Sequence, residues 1–264
     1  MARSIPIGLS SVLEELELER PELVTTADIA RISERAGIVM PARKVASRLK
    51  ERGWLLATPQ RGVWEFAPAE AAGAFSSSDP LLPIKAFALA NPFAEHALTF
   101  QTAAWALGLA NRVPARIEVA FAERPKVKIP EQVSAVAYAS NLPTVDAKGS
   151  NALAPEGIAV NLAQRPSSVR SWDSVREWLP DVSYELDAKA MLRELEGRPP
   201  SVWARAGYLI QGLRPDVAKA IEGAFKPKAK IRFGTKGKAL RNDERWMVSD
   251  SALPFDPREM ESVR

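Results

Sequence analysis

Residues 25–66 read TTADIARISERAGIVMPARKVASRLKERGWLLATPQRGVWEF, and the architecture of the chain turns on them. Thr25 and Asp28 have capping-box spacing, in which hydroxyl and carboxylate satisfy free backbone N–H groups at a helix start. Ile29, Ile32 and Ala36 form one apolar face of that helix, and Gly37 supplies a left-handed C-terminal cap. After a link over 38–40, Pro41 suits a first helical position, where the missing N–H costs nothing. A third helix is predicted over 42–52, ended by Gly53. Two short helices joined by so brief a turn make a helix-turn-helix.

That third helix has two unlike faces. At about 100° per residue, Val45 and Leu49 point inward with Ala42 and Ala46 beside them. Arg43, Ser47 and Lys50 lie opposite, flanked by Lys44, Arg48 and Glu51. The outward face therefore carries donors suited to phosphates and to guanine O6 and N7. Beyond it, 54–58 and 63–66 read as two strands joined by Pro59-Gln60-Arg61-Gly62, a hairpin whose glycine accommodates positive φ. Arg61 at its tip would reach a minor groove or its phosphates, while Trp54, Trp64 and Phe66 fill a small core. These are the parts of a winged helix-turn-helix that binds duplex DNA, with Arg43, Lys44, Ser47, Arg48, Lys50 and Arg61 as its contacts. The alternative for the same segment is a protein-interaction module that does not bind DNA.

Upstream, Ser11 and Glu14 repeat the capping spacing and predict a helix to about Glu19, with Val12, Leu13, Leu16 and Leu18 packing inward and Pro21 stopping it. Charge is partitioned along this region. Up to Ala30, six acids (Glu14, Glu15, Glu17, Glu19, Glu22, Asp28) face only Arg3 and Arg20. From Arg31 to Arg61 eight bases face only Glu34 and Glu51. A second basic run holds Lys226, Lys228, Lys230, Arg232, Lys236, Lys238 and Arg241 with no acid inside it. On a chain of net charge +4, two such concentrations suggest polyanion-binding patches. Three readings stand open for the second run: a further DNA contact, a surface for an acidic partner, or a solvated hairpin.

The 264 residues are enough for two modest domains, and 46% hydrophobic with 26% charged residues is ordinary for a globular protein. The expected fold class is α+β, the winged helix-turn-helix being followed by a larger mixed α/β domain. Boundaries are expected at 1–70 for the first, 71–80 for a small-residue linker, and 81–264 for the second. Apolar helices are predicted over 81–90 and 102–109, and strands over 116–121 and 133–138. Further helices follow over 157–164, 174–179, 188–197, 201–211 (capped by Ser201) and 216–225, then strands over 228–233 and 245–248.

Catalytic chemistry is sparse. The chain has no cysteine and a single histidine, His96, in a loop-like stretch without a nucleophile elbow. Disulfides and thiolate or multi-histidine metal sites are excluded, and no metal or cofactor is expected. Neither G-x-G-x-x-G nor a Walker loop occurs, GTKGK after Phe233 having the wrong spacing. Glu194 and Glu196 face different sides of one helix. The chain is expected to be no enzyme. With no signal-peptide pattern and no run of eighteen apolar residues, it is expected to be cytoplasmic, without a membrane partner.

Several stretches, in order, resemble the AbiEi-type antitoxins of type IV toxin–antitoxin, or abortive-infection, systems. LKERGWLLATPQRGVWEFAP (49–68) is similar to the family's helix-then-wing signature. SDPLLPIKAFA (78–88) and TAAWALGLANRVP (102–114) are similar to the lead-in of its second domain. LAQRPSSVRSW (162–172), LEGRPPSVWARAGYLIQ (195–211) and KIRFG (230–234) are similar to its C-terminal body. The resemblance implies a two-domain repressor whose winged helix binds inverted repeats at its own promoter. Its second domain would counter the toxin AbiEii, a nucleotidyltransferase-like enzyme, without a stable complex. Carried over by position, Arg43, Lys44, Ser47, Arg48, Lys50 and Arg61 would contact DNA. Some related antitoxins are atypical kinases acting on their toxins, an alternative for which the chain shows no glycine-rich, HRD or DFG pattern.

Overall fold

The computed structural model describes residues 8–71, 79–234 and 238–261, a mixed α/β chain. It divides into two compact units: Met1–Ala94 with Lys128–Val133, and Glu95–Val127 with Ser134–Arg264. Most of the expected linker, residues 72–78, lies outside the described residues, as does Lys236.

In the first unit, α1 (Ser10–Glu19), β1 (Leu23–Thr25), α2 (Thr26–Arg35), α3 (Ala42–Glu51), β2 (Leu55–Ala57) and β3 (Val63–Phe66) follow in order. The strands form an antiparallel sheet in the order β1-β3-β2. One core joins Val12, Leu13 and Leu16 of α1, Ile29 and Ile32 of α2, Val45, Ala46 and Leu49 of α3, and Trp54, Leu55 and Phe66. The Thr25–Asp28 capping box is formed. Asp28 N–H donates to Thr25 Oγ1 at 3.1 Å, and Thr25 N–H to Asp28 Oδ2 at 3.0 Å. Gly37 is left-handed at φ 67°.

Four local expectations for this unit change. Helix α1 starts at Ser10 without the Ser11–Glu14 box. Leu9 is fully buried and its carbonyl accepts from Leu13 N–H, so core packing sets the first turn instead of a hydroxyl. Leu18 is 85% exposed, because it stands about 200° round the helix from buried Leu16. Strand β1 adds to the expected hairpin. With three residues it has no alternation to read and exists by pairing with β3. Helix α4 (Leu82–Ala90) also belongs here: it packs on β3, and Lys85 reaches Glu22 at 2.9 Å and Asp79 at 2.6 Å.

The second unit is built on a five-stranded sheet in the order β6-β5-β4-β8-β7. Its strands are β4 (His96–Leu98), β5 (Ile117–Phe121), β6 (Val133–Ala137), β7 (Val145–Ala147) and β8 (Ser150–Ala152). β4 runs antiparallel to β5 and parallel to β8. Helices α5 (Phe100–Ala106), α6 (Pro155–Gln164), α7 (Trp172–Tyr184), α8 (Ala188–Leu195), α9 (Pro200–Ile210) and α10 (Pro215–Ala224) surround it. α6 is buried from Glu156 to Ala163 and packs against α5, α7, α8 and α9, as expected for a helix with apolar residues all round. A second sheet, β10-β11-β9, holds β9 (Ile231–Phe233), β10 (Arg241–Asp243) and β11 (Val248–Asp250).

Here too some expectations give way. His96 opens β4 opposite Phe121 and is not in a loop. Arg245 and Trp246 form the turn between β10 and β11, not a strand. Pro199, not Ser201, precedes α9, with no side-chain cap. β7 and β8 join through Lys148 and Gly149 at φ 54° and 70°, a hairpin whose polar sequence carries no strand signal. Among the described residues no helix is long and apolar enough to cross a membrane, and no group of three or more His, Cys, Asp or Glu is placed to hold a metal.

Candidate nucleic-acid interface

Helix α3 buries Val45, Ala46 and Leu49 and leaves Arg43, Lys44, Ser47, Arg48 and Lys50 exposed. Arg43, Ser47 and Lys50 fall within about 60° of one another around the axis, with Lys44 and Arg48 on one flank. Ser47 Oγ donates to Glu51 Oε1 at 3.1 Å, so the helix's one carboxylate is turned along its own surface.

Four other bases of this unit are paired with acids. Arg20 pairs with Glu70 at 2.7 Å and Arg31 with Asp28 at 3.3 Å. Arg35 meets Glu15 and, at 3.7 Å, Glu19, while Lys85 bridges Glu22 and Asp79. Arg43, Lys44, Arg48, Lys50 and Arg61 make no ion pair with any described residue. Each exposed pair stabilises little, yet each cancels a cation's outward field, whereas the cations of α3 and Arg61 keep theirs.

Arg61 lies exposed in the loop between β2 and β3. This loop is held from three sides. Thr58 Oγ1 donates to Val63 O at 2.8 Å and accepts from Gln60 N–H at 3.2 Å. Gly62 O accepts from Thr26 N–H at 3.0 Å, tying the loop to the start of α2. Gly62 adopts φ 81°, a left-handed conformation that favours glycine, and a Cβ there would lie 3.1 Å from Thr26 Oγ1. All six expected contact residues are thus at the surface, five on one helix and the sixth on a braced loop.

The second unit holds a polar centre that sequence reading missed. Glu194 on α8 is fully buried and accepts from Ser140 Oγ, Asn141 N–H, Leu142 N–H and Arg198 at 2.9–3.0 Å, and from Tyr138 OH. The Arg198 guanidinium also lies 4.5 Å from the centre of the Tyr138 ring. Burial, then the Glu194 charge, raises the Tyr138 phenol above its ordinary range. With every oxygen satisfied, the cluster clamps residues 138–142 onto α8, a structural role. Its i,i+4 partner Arg198 was readable in the sequence, but Tyr138 and Ser140 arrive from more than fifty residues away.

The geometry defines a class first: a two-unit α/β protein with an unneutralised cationic helix on one unit and a helix-wrapped sheet in the other. Residues 96–212 match the family model of the AbiEi antitoxin C-terminal domain, and the chain carries a domain of that family. The fold is also similar to the crystal structure of the RV2827C protein from Mycobacterium tuberculosis, at 26% identity and a TM-score of 0.77, covering 96% of this chain and 94% of that one. No curated protein matches the chain.

Proposed function

We propose that this antitoxin is a DNA-binding autorepressor, its first unit a winged helix-turn-helix with α3 as recognition helix and the 58–62 loop as wing. Arg43, Lys44, Ser47, Arg48 and Lys50 would enter the major groove, and Arg61 would meet the backbone or minor groove beside it. One observation carries the reading: the cations of α3 and Arg61 make no ion pair with a described residue, while Arg20, Arg31, Arg35 and Lys85 of the same unit are paired with acids. The target is the inverted repeats of its own promoter. The second unit counters a nucleotidyltransferase-like toxin of the AbiEii type, without a stable complex.

The test is a gel shift with the upstream region at several salt concentrations. Replacing Arg43 and Lys50 together by Ala should weaken binding by about 1–3 kcal/mol for each of the two side chains that reads a base, and flatten the salt dependence. Unchanged affinity would remove α3 from the interface.

A further inference from the structure

The second basic run lies outside the family match, and the α3 surface does not account for it. Lys226, Lys228, Lys230 and Arg232 are all exposed, and none forms an ion pair with a described residue. Glu222 feels the charge of Lys226 but is held by Arg245 at 2.8 Å. Three acids on and beside the adjoining sheet are engaged as well. Asp250 pairs with Arg241 at 2.8 Å, Asp256 with Arg258 at 2.6 Å, and Asp243 accepts from Gln211 and Trp246 N–H. The cations of 226–232 are therefore presented to solvent with their charge intact.

Aromatic rings stand beside them. Phe225, immediately before Lys226, and Trp203 of α9 are each partly exposed, with ring centres 5.7 Å apart and planes inclined by 35°. At the other end of the segment, Arg205 Nε donates to Arg232 O at 2.7 Å. The cationic stretch is thus fastened to α9 at both ends, by a ring contact and by a hydrogen bond, and is ordered before any ligand arrives.

We infer that residues 225–232, with Trp203, form a binding surface for single-stranded nucleic acid. Cations that track phosphates beside rings that stack on bases are the recurring recipe for such strands. A duplex hides its base faces and could use only the charges. An acidic protein segment would likewise make no use of the rings.

The experiment is fluorescence anisotropy with the full-length chain carrying Arg43→Ala and Lys50→Ala, so that α3 is disabled, and labelled twelve-residue oligo(U) and oligo(dT) as probes. Binding is expected. The fourfold variant K226Q/K228Q/K230Q/R232Q should lose at least tenfold in affinity and most of the salt dependence. Trp203→Ala should weaken binding roughly fivefold or more, while Trp203→Phe keeps a ring and retains most of it. A thermal melt of each variant separates lost binding from lost folding. Stronger binding of one oligomer tells RNA from DNA. The inference is overturned if neither oligomer binds, or if the folded fourfold variant binds like its parent. It is equally overturned if a twelve-pair duplex or polyglutamate binds as well as the single strands and Trp203→Ala changes nothing.

Discussion

Glu118 is 8% exposed on β5, where Thr102 N–H at the start of α5 reaches its carboxylate at 3.3 Å. Burial pushes this carboxyl up to about 7, against the pull of the Thr102 and Gln101 N–H groups and the Arg170 charge. The folded form therefore holds a proton that the unfolded chain releases near 4.5. Its contribution to stability is complete below pH 4.5 and is lost as pH rises through 7, a decline of about 3 kcal/mol. Denaturant unfolding at pH 4.5 and pH 8 checks it. Glu118→Gln should abolish that part of the slope, and an identical slope in both proteins would discard the assignment. Glu194 is the opposite case, a buried carboxylate with all its partners. Glu194→Ala strands Arg198 and two backbone N–H groups and should cost about 3–5 kcal/mol, whereas Tyr138→Phe should cost about 1 kcal/mol. Near-equal losses for the two variants would mean that the phenol contact alone matters. The α3 cations could be assigned from sequence because a helical period and a run of bases are local facts. Glu118 and Glu194 could not, because their burial is supplied by distant segments.

At the scale of elements, α9 shows what periodicity hides. Gly207 looks like a weak point in an apolar helix, yet a Cβ there would fall inside the Trp246 ring. Trp246 is fully buried in the β10–β11 turn, where Asp243 Oδ1 accepts its N–H at 2.9 Å and Gln211 its indole N–H at 3.2 Å. The helix backbone and an indole thus share one space. Gly207→Ala should cost about 3 kcal/mol by overpacking. Gly223→Ala on α10, where a Cβ meets nothing, should instead stabilise by about 0.5–1 kcal/mol. Thermal melts of the pair decide it, and equal effects would mean that helix propensity alone is at work. α2 could be placed to the residue because its capping box lies within four positions. β1, β7 and β8 could not: strands of three residues form only where a partner satisfies their backbone groups.

Across the whole molecule, a net charge of +4 conceals two uncancelled basic surfaces, one on each unit. Their existence was written in the order of acids and bases along the chain. Ion pairing then chose which bases stay active: Arg20, Arg31, Arg35 and Arg241 are neutralised, while Arg43, Lys50, Arg61 and Lys226–Arg232 remain open. Local order alone was enough for the capped start of α2, the outward face of α3 and the turn at Gly62, since each depends on neighbours within about one helical turn. Contacts between distant segments settled the rest: the placement of α4 with the first unit, the Glu194 clamp, the Trp246 turn, and the ring pair beside the second basic run. Those features arise from packing and charge neutralisation between residues far apart in the chain, which a one-dimensional pattern does not encode.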